Sequence, residues 1–236
     1  DSSPEIVSYN FIKTQNGLSA DFWNNLVGSG QNYLFIKNHL NELNSVTAIP
    51  LAFDTAVIYT NTDLEKYNEI QIGKGIVNVT NTKDINAVSY MIETGTPGTD
   101  LFSNILQISP TSDALTEFEN ENSVYLIGSS RYHGRIQDSL TGYNRINGIE
   151  ENGIMHGTFS EVYTINSDIN SDEYKVCELW FSYLLSEVGQ NQLLVQNRKS
   201  LPLNAKSFEL ALSLKPSLGF LRNTENIVLS DLNDSY

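Results

Sequence analysis

NSDEYKVCELWFSYLLSEVGQNQLLVQNRKSLPLN, residues 170–204, carries the strongest periodic signal in the chain. Val176, Cys177, Trp180, Phe181, Leu184, Leu185 and Val188 recur at helical spacing, the pattern of a long helix with a broad apolar face. Asn170 supplies its cap, and Glu173 stands three residues on, where a carboxylate can return a hydrogen bond to the cap residue's N–H. Gly189 loosens the helix before residues 193–195. Leu201-Pro202-Leu203-Asn204 then breaks the chain and caps a second helix over 205–214, which Pro216 ends.

Outward from this segment, short strands alternate with helices. Residues 158–165 alternate, with Phe159, Val162, Tyr163 and Ile165 set among polar neighbours, which predicts a strand. Residues 124–127 read as a buried strand turned by Gly128-Ser129-Ser130. The run VTAIPLAFDTAVIY, residues 46–59, is β-rich, either one long strand or a strand pair, with Pro50 marking an edge or kink. Residues 5–9 form a further strand, followed by Asn10, and residues 76–79 another. Phe22, Trp23, Leu26 and Val27 suit one face of a short helix, stopped by Gly28-Ser29-Gly30. Helices are predicted over 63–67, 84–93, 101–108 and 111–118, the last capped by Thr111 or Ser112. This alternation places the chain in the α/β class.

Composition narrows the function. The 236 residues carry 14 Lys and Arg against 28 Asp and Glu, a net charge of −14. Such a surface lacks the basic stripe that a nucleic-acid groove uses to displace counterions, and it is repelled by anionic membranes. A hydrophobic content of 40% with 10% aromatic residues is too rich for a disordered acidic tail. The length suffices to bury a core without oligomerisation, so a monomer is expected. The longest apolar run, residues 49–59, is interrupted by Pro50 and Asp54 and falls far short of a membrane span. The sequence opens Asp1-Ser2-Ser3-Pro4, without Met or a signal peptide, as a processed chain or an excised piece would. The single cysteine, Cys177, excludes an internal disulfide framework and a multi-cysteine metal site.

The sequence holds little in the way of reactive constellations. His39, His133 and His156 do not pair at helical spacing, and no acidic loop has calcium spacing, so no metal is expected. No nucleophile elbow, phosphate loop or dinucleotide fingerprint is present, and no cofactor is expected. Asp54, amid apolar neighbours in a β run, is the most unusual carboxylate: either a charge held at a strand end by a backbone N–H or Arg, or a ligand acceptor. Tyr9, Phe53, Tyr132, His133 and Phe159 all fall near strand ends, where open α/β sheets bind ligands. Flat rings beside Asp, Asn and Arg suit a sugar, which offers apolar C–H faces and a belt of hydroxyls. Each ring is equally well explained as core filling.

Four stretches resemble the extracellular solute-binding proteins of ABC importers, the maltose-binding-like type 1 group. Pro4-Glu5-Ile6-Val7-Ser8-Tyr9 is similar to the family's P-D-[IV]-V-x-aromatic strand. Residues 49–61 resemble its P-x-x-x-[DE]-x-x-x-[LI]-Y-x-N inter-lobe strand, with Asp54 at the carboxylate position. Residues 118–131 resemble its F-x-x-G-k-x-A-M-x-i-g-s segment, although Asn120-Glu121-Asn122-Ser123 replaces the Gly-Lys-Ala pattern. Residues 157–204 resemble the returning strand, the helix ending in L-s-x-e-x-Q and the closing x-L-P-x-n, matched by Gln190, Leu201, Pro202 and Asn204. The strand–helix–strand unit that precedes the first of these in the family has no counterpart, and residues 61–118 are short and without the family's Thr-Trp helix.

The resemblance implies a two-lobed periplasmic-binding-protein-like α/β fold with crossing hinge strands and a shortened N-terminal lobe. Lobe I would comprise 1–52 and 158–203, and lobe II 53–157 and 204–236. It implies an extracytoplasmic protein, at a cell surface with or without a lipid anchor or in a periplasm, that captures a small solute, a carbohydrate first, between the lobes and delivers it to an ABC transporter permease. No covalent chemistry is implied. Expected ligand-binding residues are Tyr9, Asn10, Phe53, Asp54, Arg131, Tyr132, His133 and Phe159, with Asp54 accepting hydroxyl hydrogen bonds, Tyr9 and Tyr132 stacking, and Arg131 forking onto a polar or anionic group. The competing readings are an adhesion module that keeps the fold without transport, and a hydrolase pairing Asp54 with Glu161.

Overall fold

The computed structural model describes residues 6–8, 15–45, 47–60, 77–79, 106–108, 115–116, 118–120, 125–139, 145–148, 150–151 and 153–229. Tyr9, Asn10 and the helices expected over 63–67 and 84–93 lie outside them. The chain divides into two units. One comprises residues 1–54, 158–214 and 229–236; the other comprises 55–157 and 215–228.

The first unit begins with strand β1 (Ile6–Ser8), helix α1 (Ala20–Gly28) and helix α2 (Leu40–Ser45). Ser19 caps α1, its hydroxyl accepting the Phe22 N–H at 3.1 Å, and Trp23 and Leu26 supply the buried face expected from their spacing. The long apolar run forms one strand, β2 (Ile49–Thr60), whose first half belongs to this unit. β1 runs antiparallel to the end of β8 (Ile154–Ile165), with Ile6 opposite Ile165.

Helix α4 (Ser171–Leu185) starts with the complete capping box expected from Asn170 and Glu173. It stops at Ser186, ahead of Gly189, because Ser186 turns extended and caps the short helix α5 (Glu187–Gln190). A Cβ on Gly189 would run into the Tyr183 carbonyl, so the close approach of α5 to the end of α4 requires glycine there. A π turn (Asn191–Val195) leads to strand β9 (Leu201–Pro202), antiparallel to β2 at Ala52 and Phe53. Helix α6 (Ala205–Leu214) follows.

The expected boundary at 203/204 lies at 214/215 instead. α6 belongs with the first unit because Phe208 packs its ring 5.7 Å from that of Phe53. The Ala205 N–H also donates to the Asn32 carbonyl at 3.0 Å, and the Ser207 hydroxyl to the Glu187 carbonyl at 3.2 Å.

Gln190 joins these pieces. Its side chain is fully buried. Nε2 donates to the Leu51 carbonyl at 2.9 Å and to the Leu184 carbonyl at 3.0 Å. Oε1 accepts the Leu203 N–H at 2.8 Å and, more weakly, the Asn204 N–H at 3.4 Å. One amide thereby satisfies backbone groups of β2, of the last turn of α4 and of the segment after β9, all withdrawn from water. Asn204 continues the chain of bonds, its Oδ1 accepting the Lys206 and Ser207 N–H groups as the cap of α6.

In the second unit, the outer half of β2 lies antiparallel to β5 (Tyr125–Ser129), with Ala56 opposite Ser129, and to β6 (Arg145–Gly148), with Val57 opposite Gly148. β3 (Val77–Val79) runs parallel to β5 and to β4 (Leu106–Ile108). Residues 106–108 are a strand, not part of the helix expected over 101–108; a short apolar run in a parallel sheet has no period that separates it from a helical segment. β7 (Glu150–Glu151) makes a tight hairpin with the start of β8, turned by Gly153 at φ +79°. A 3-10 turn (Ser130–Tyr132) leads into helix α3 (His133–Ser139). Leu126, Ile136, Met155, Leu218 and Leu221 are buried in this unit. β10 (Ile227–Leu229) ends the described chain and pairs with β8.

Gln190→Leu keeps the volume and leaves the Leu203 N–H and the Leu51 carbonyl buried without their partner. Stability falls by about 2–4 kcal/mol, read as a lowered urea midpoint at unchanged slope.

Candidate functional site

The first unit holds the unusual carboxylate. Asp54 ends the inner half of β2 and is only 4% exposed. The Ser200 hydroxyl, itself buried, donates to Asp54 Oδ2 at 2.7 Å. Burying a carboxylate demands such donors, and the sequence carried no sign that Ser200, 146 positions away, supplies one. Phe53 and Phe159 are core side chains. The Phe53 ring lies 4.9 Å from that of Phe35, edge-on, and Phe159 meets the edge of His39 at 5.1 Å. Neither reaches the surface, since Phe53 is fully buried and Phe159 nearly so.

Glu161 sits at φ +50° within β8, in the left-handed region that non-glycine residues rarely adopt. Phe159 and Ser160 are buried in succession just before it, so the in-out alternation slips by one residue, as at a β-bulge. The Tyr163 hydroxyl donates to Glu161 Oε2 at 3.4 Å. Burial first, then the Glu161 carboxylate, pushes the Tyr163 phenol above its ordinary pKa. The Ser160 hydroxyl is buried and has no hydrogen-bond partner among the described residues.

The second unit presents a built turn. The Ser129 hydroxyl accepts the Arg131 N–H at 3.3 Å. The Ser130 hydroxyl accepts the Thr55 N–H at 3.0 Å, and the Tyr59 hydroxyl donates to the Ser129 carbonyl at 2.7 Å. His133 is buried, with Nδ1 2.8 Å from the Ser130 carbonyl. A carbonyl only accepts, so that nitrogen carries a proton. Lys215, also buried, donates from Nζ to the His133 carbonyl at 2.9 Å. These bonds pin the backbone on either side of Arg131, which is exposed, and Tyr132, which is half-buried. Among the expected site residues, Arg131, Tyr132 and His133 share this turn, whereas Phe53, Asp54 and Phe159 belong to the first unit. Among the described residues no group of three His, Cys, Asp or Glu side chains could hold a metal, and no helix is long and apolar enough to cross a membrane.

No protein-family model and no curated protein sequence matches this chain. Solved structures do. Maltose-bound MalE3 from T. maritima is similar over 98% of this chain and 75% of its own, with a TM-score of 0.68 and 15% identity. The chain has the periplasmic-binding-protein fold. UgpB from Mycobacterium tuberculosis, solved with glycerophosphocholine, is similar over 100% of this chain and 75% of its own, at TM-score 0.58 and 13% identity. A eukaryotic thiaminase-I bound to 3-deazathiamin shares the fold at TM-score 0.59 and 12% identity, over 97% of this chain and 78% of its own.

Ser200→Ala deprives the buried Asp54 carboxylate of a hydroxyl donor. Stability at neutral pH falls by about 1–3 kcal/mol, measured by urea unfolding.

Proposed function

We propose that this chain is an extracytoplasmic solute-binding protein that captures a small solute, a carbohydrate first, for an ABC transporter permease, acting as a monomer without covalent chemistry. The observation that carries the reading is the likeness of fold to the maltose-bound T. maritima protein along 98% of the chain. Fold alone does not select a function; the thiaminase carries chemistry on the same fold.

The residues proposed to contact the solute are Arg131 and Tyr132, on a turn whose backbone is fixed from both sides, together with Asp54, His133, Tyr9 and Asn10. A fixed turn lowers the entropy lost on binding. Arg131 offers a planar fork of donors to hydroxyl or anionic oxygens, and Tyr132 a ring face for stacking. Phe53 and Phe159 support β2 and β8 from within the core rather than touching solute.

Thermal unfolding against glucose, maltose, maltotriose and glycerophosphocholine tests the reading. A solute at about 100 times its Kd stabilises by about 2.7 kcal/mol, roughly 5–10 °C for a protein of this size. A sugar-specific shift, lost in Arg131→Ala and Tyr132→Ala, is expected. A shift with glycerophosphocholine alone keeps the solute-binding role and moves the solute class. No shift with any solute from a cooperatively folded chain overturns the reading in favour of a fold kept for adhesion.

A further inference from the structure

Lys215 is a buried cation outside the set of proposed solute contacts. It is only 5% exposed, and its Nζ donates to the His133 carbonyl at 2.9 Å. Withdrawing an ammonium from water is costly, and a Met of similar reach would fill the same space without that cost. What Met would lack is the donor. The base of that donor is itself fixed: the Lys215 carbonyl accepts the N–H of the fully buried Leu218 at 2.9 Å, and Pro216 follows at the start of a 3-10 turn, Pro216–Arg222. At the other end of the Ser130–Tyr132 turn, the Thr55 N–H donates to the Ser130 hydroxyl at 3.0 Å. Thr55 and Lys215 are the first residues of the second unit after the chain passes into it at 54/55 and at 214/215. Both entering segments are thereby bonded to one turn, at Ser130 and at His133, with Arg131 and Tyr132 between the two bonds.

We infer that Lys215 is a positioning residue for solute binding: its ammonium fixes the His133 carbonyl and, together with the bond from Thr55 to Ser130, holds Arg131 and Tyr132 in one geometry tied to the course of the two entering segments. The inference rests on the solute-binding reading above and deepens it. Lys215 acts through His133 and does not itself touch solute. A turn held at both ends loses less entropy when a solute docks on it. By linkage, a solute that prefers one geometry of the turn biases the entering segments by the same free energy.

Lys215→Met keeps the reach of the side chain and removes the donor. Amide hydrogen exchange, read residue by residue on the chain without solute, separates positioning from general support. The Thr55 and His133 amides, whose acceptors are the Ser130 hydroxyl and the Ser130 carbonyl, are expected to exchange about tenfold faster or more, while the ladder amides of β2 and β5 keep their wild-type rates. Affinity for whichever of glucose, maltose, maltotriose and glycerophosphocholine the wild-type chain binds is expected to fall about tenfold or more. Lys215→Gln, too short to reach the carbonyl, carries the same expectation should the Met variant not fold. No acceleration at Thr55 and His133, or equal acceleration in turn and ladder, would overturn the inference, as would a loosened turn whose affinity stays within roughly threefold of wild type. Failure of the solute-binding reading looks different: the wild-type chain binds none of these solutes, and the exchange comparison alone then decides whether Lys215 holds the turn.

Discussion

A single buried amide, that of Gln190, is the constraint on which the first unit depends. The unit is assembled from chain segments far apart in sequence, and each brings backbone groups into a region without water. Leu51 lies inside β2, Leu184 at the end of α4, and Leu203 just past β9. An unpaired backbone group buried in such a place costs about 1–3 kcal/mol, at least as much as a well-made hydrogen bond contributes. Gln is the side chain that answers the need, because its amide offers two donors and an acceptor on one rigid plane. Asp, Glu or a hydroxyl would each leave part of the set unanswered. With the amide in place, β9 is held beside β2, Asn204 is positioned to cap α6, and Phe208 reaches Phe53.

Local chemistry made much of this legible from sequence. The capping box of α4, the short helix stopped by Gly28-Ser29-Gly30, the strand over 158–165 and the break at Leu201-Pro202 are all signalled within a few residues of where they occur. The resemblance of Gln190, Leu201, Pro202 and Asn204 to the solute-binding pattern pointed to the same segment that the structure shows to be bonded together. Other features had no local signal. The strand at 106–108 is defined by its parallel neighbour, not by its own period. The place of α6 is decided by Phe208 and Asn32, which no reading of residues 205–214 alone can supply. The split of the α4 apolar face into a buried half, Cys177, Phe181 and Leu185, and an exposed half, Val176 and Trp180, depends on which neighbours are present, since helical spacing specifies faces and not their partners.

The candidate site divides in the same way. Asp54 stood out because a carboxylate in an apolar β run must be satisfied; that Ser200 donates to it is a tertiary fact. Aromatic residues near strand ends were a weaker guide, because ring filling of a core and ring presentation to a ligand leave the same mark in sequence. Phe53 and Phe159 turn out to fill the core, while Tyr132 stays partly at the surface on a turn held by Ser129, Ser130, His133 and Lys215. In that turn the buried polar groups of the second unit fix the backbone on either side of Arg131 and Tyr132.

Amide hydrogen exchange by NMR tests the central claim about Gln190 most directly. If its side chain holds the Leu203 N–H and is itself held by the Leu51 and Leu184 carbonyls, the Leu203 amide and the Gln190 side-chain NH2 exchange only through large-scale opening, as slowly as the amides of the inner half of β2. Exchange of the Leu203 amide or the Gln190 NH2 at the rate of surface loops, while β2 stays protected, would contradict the account.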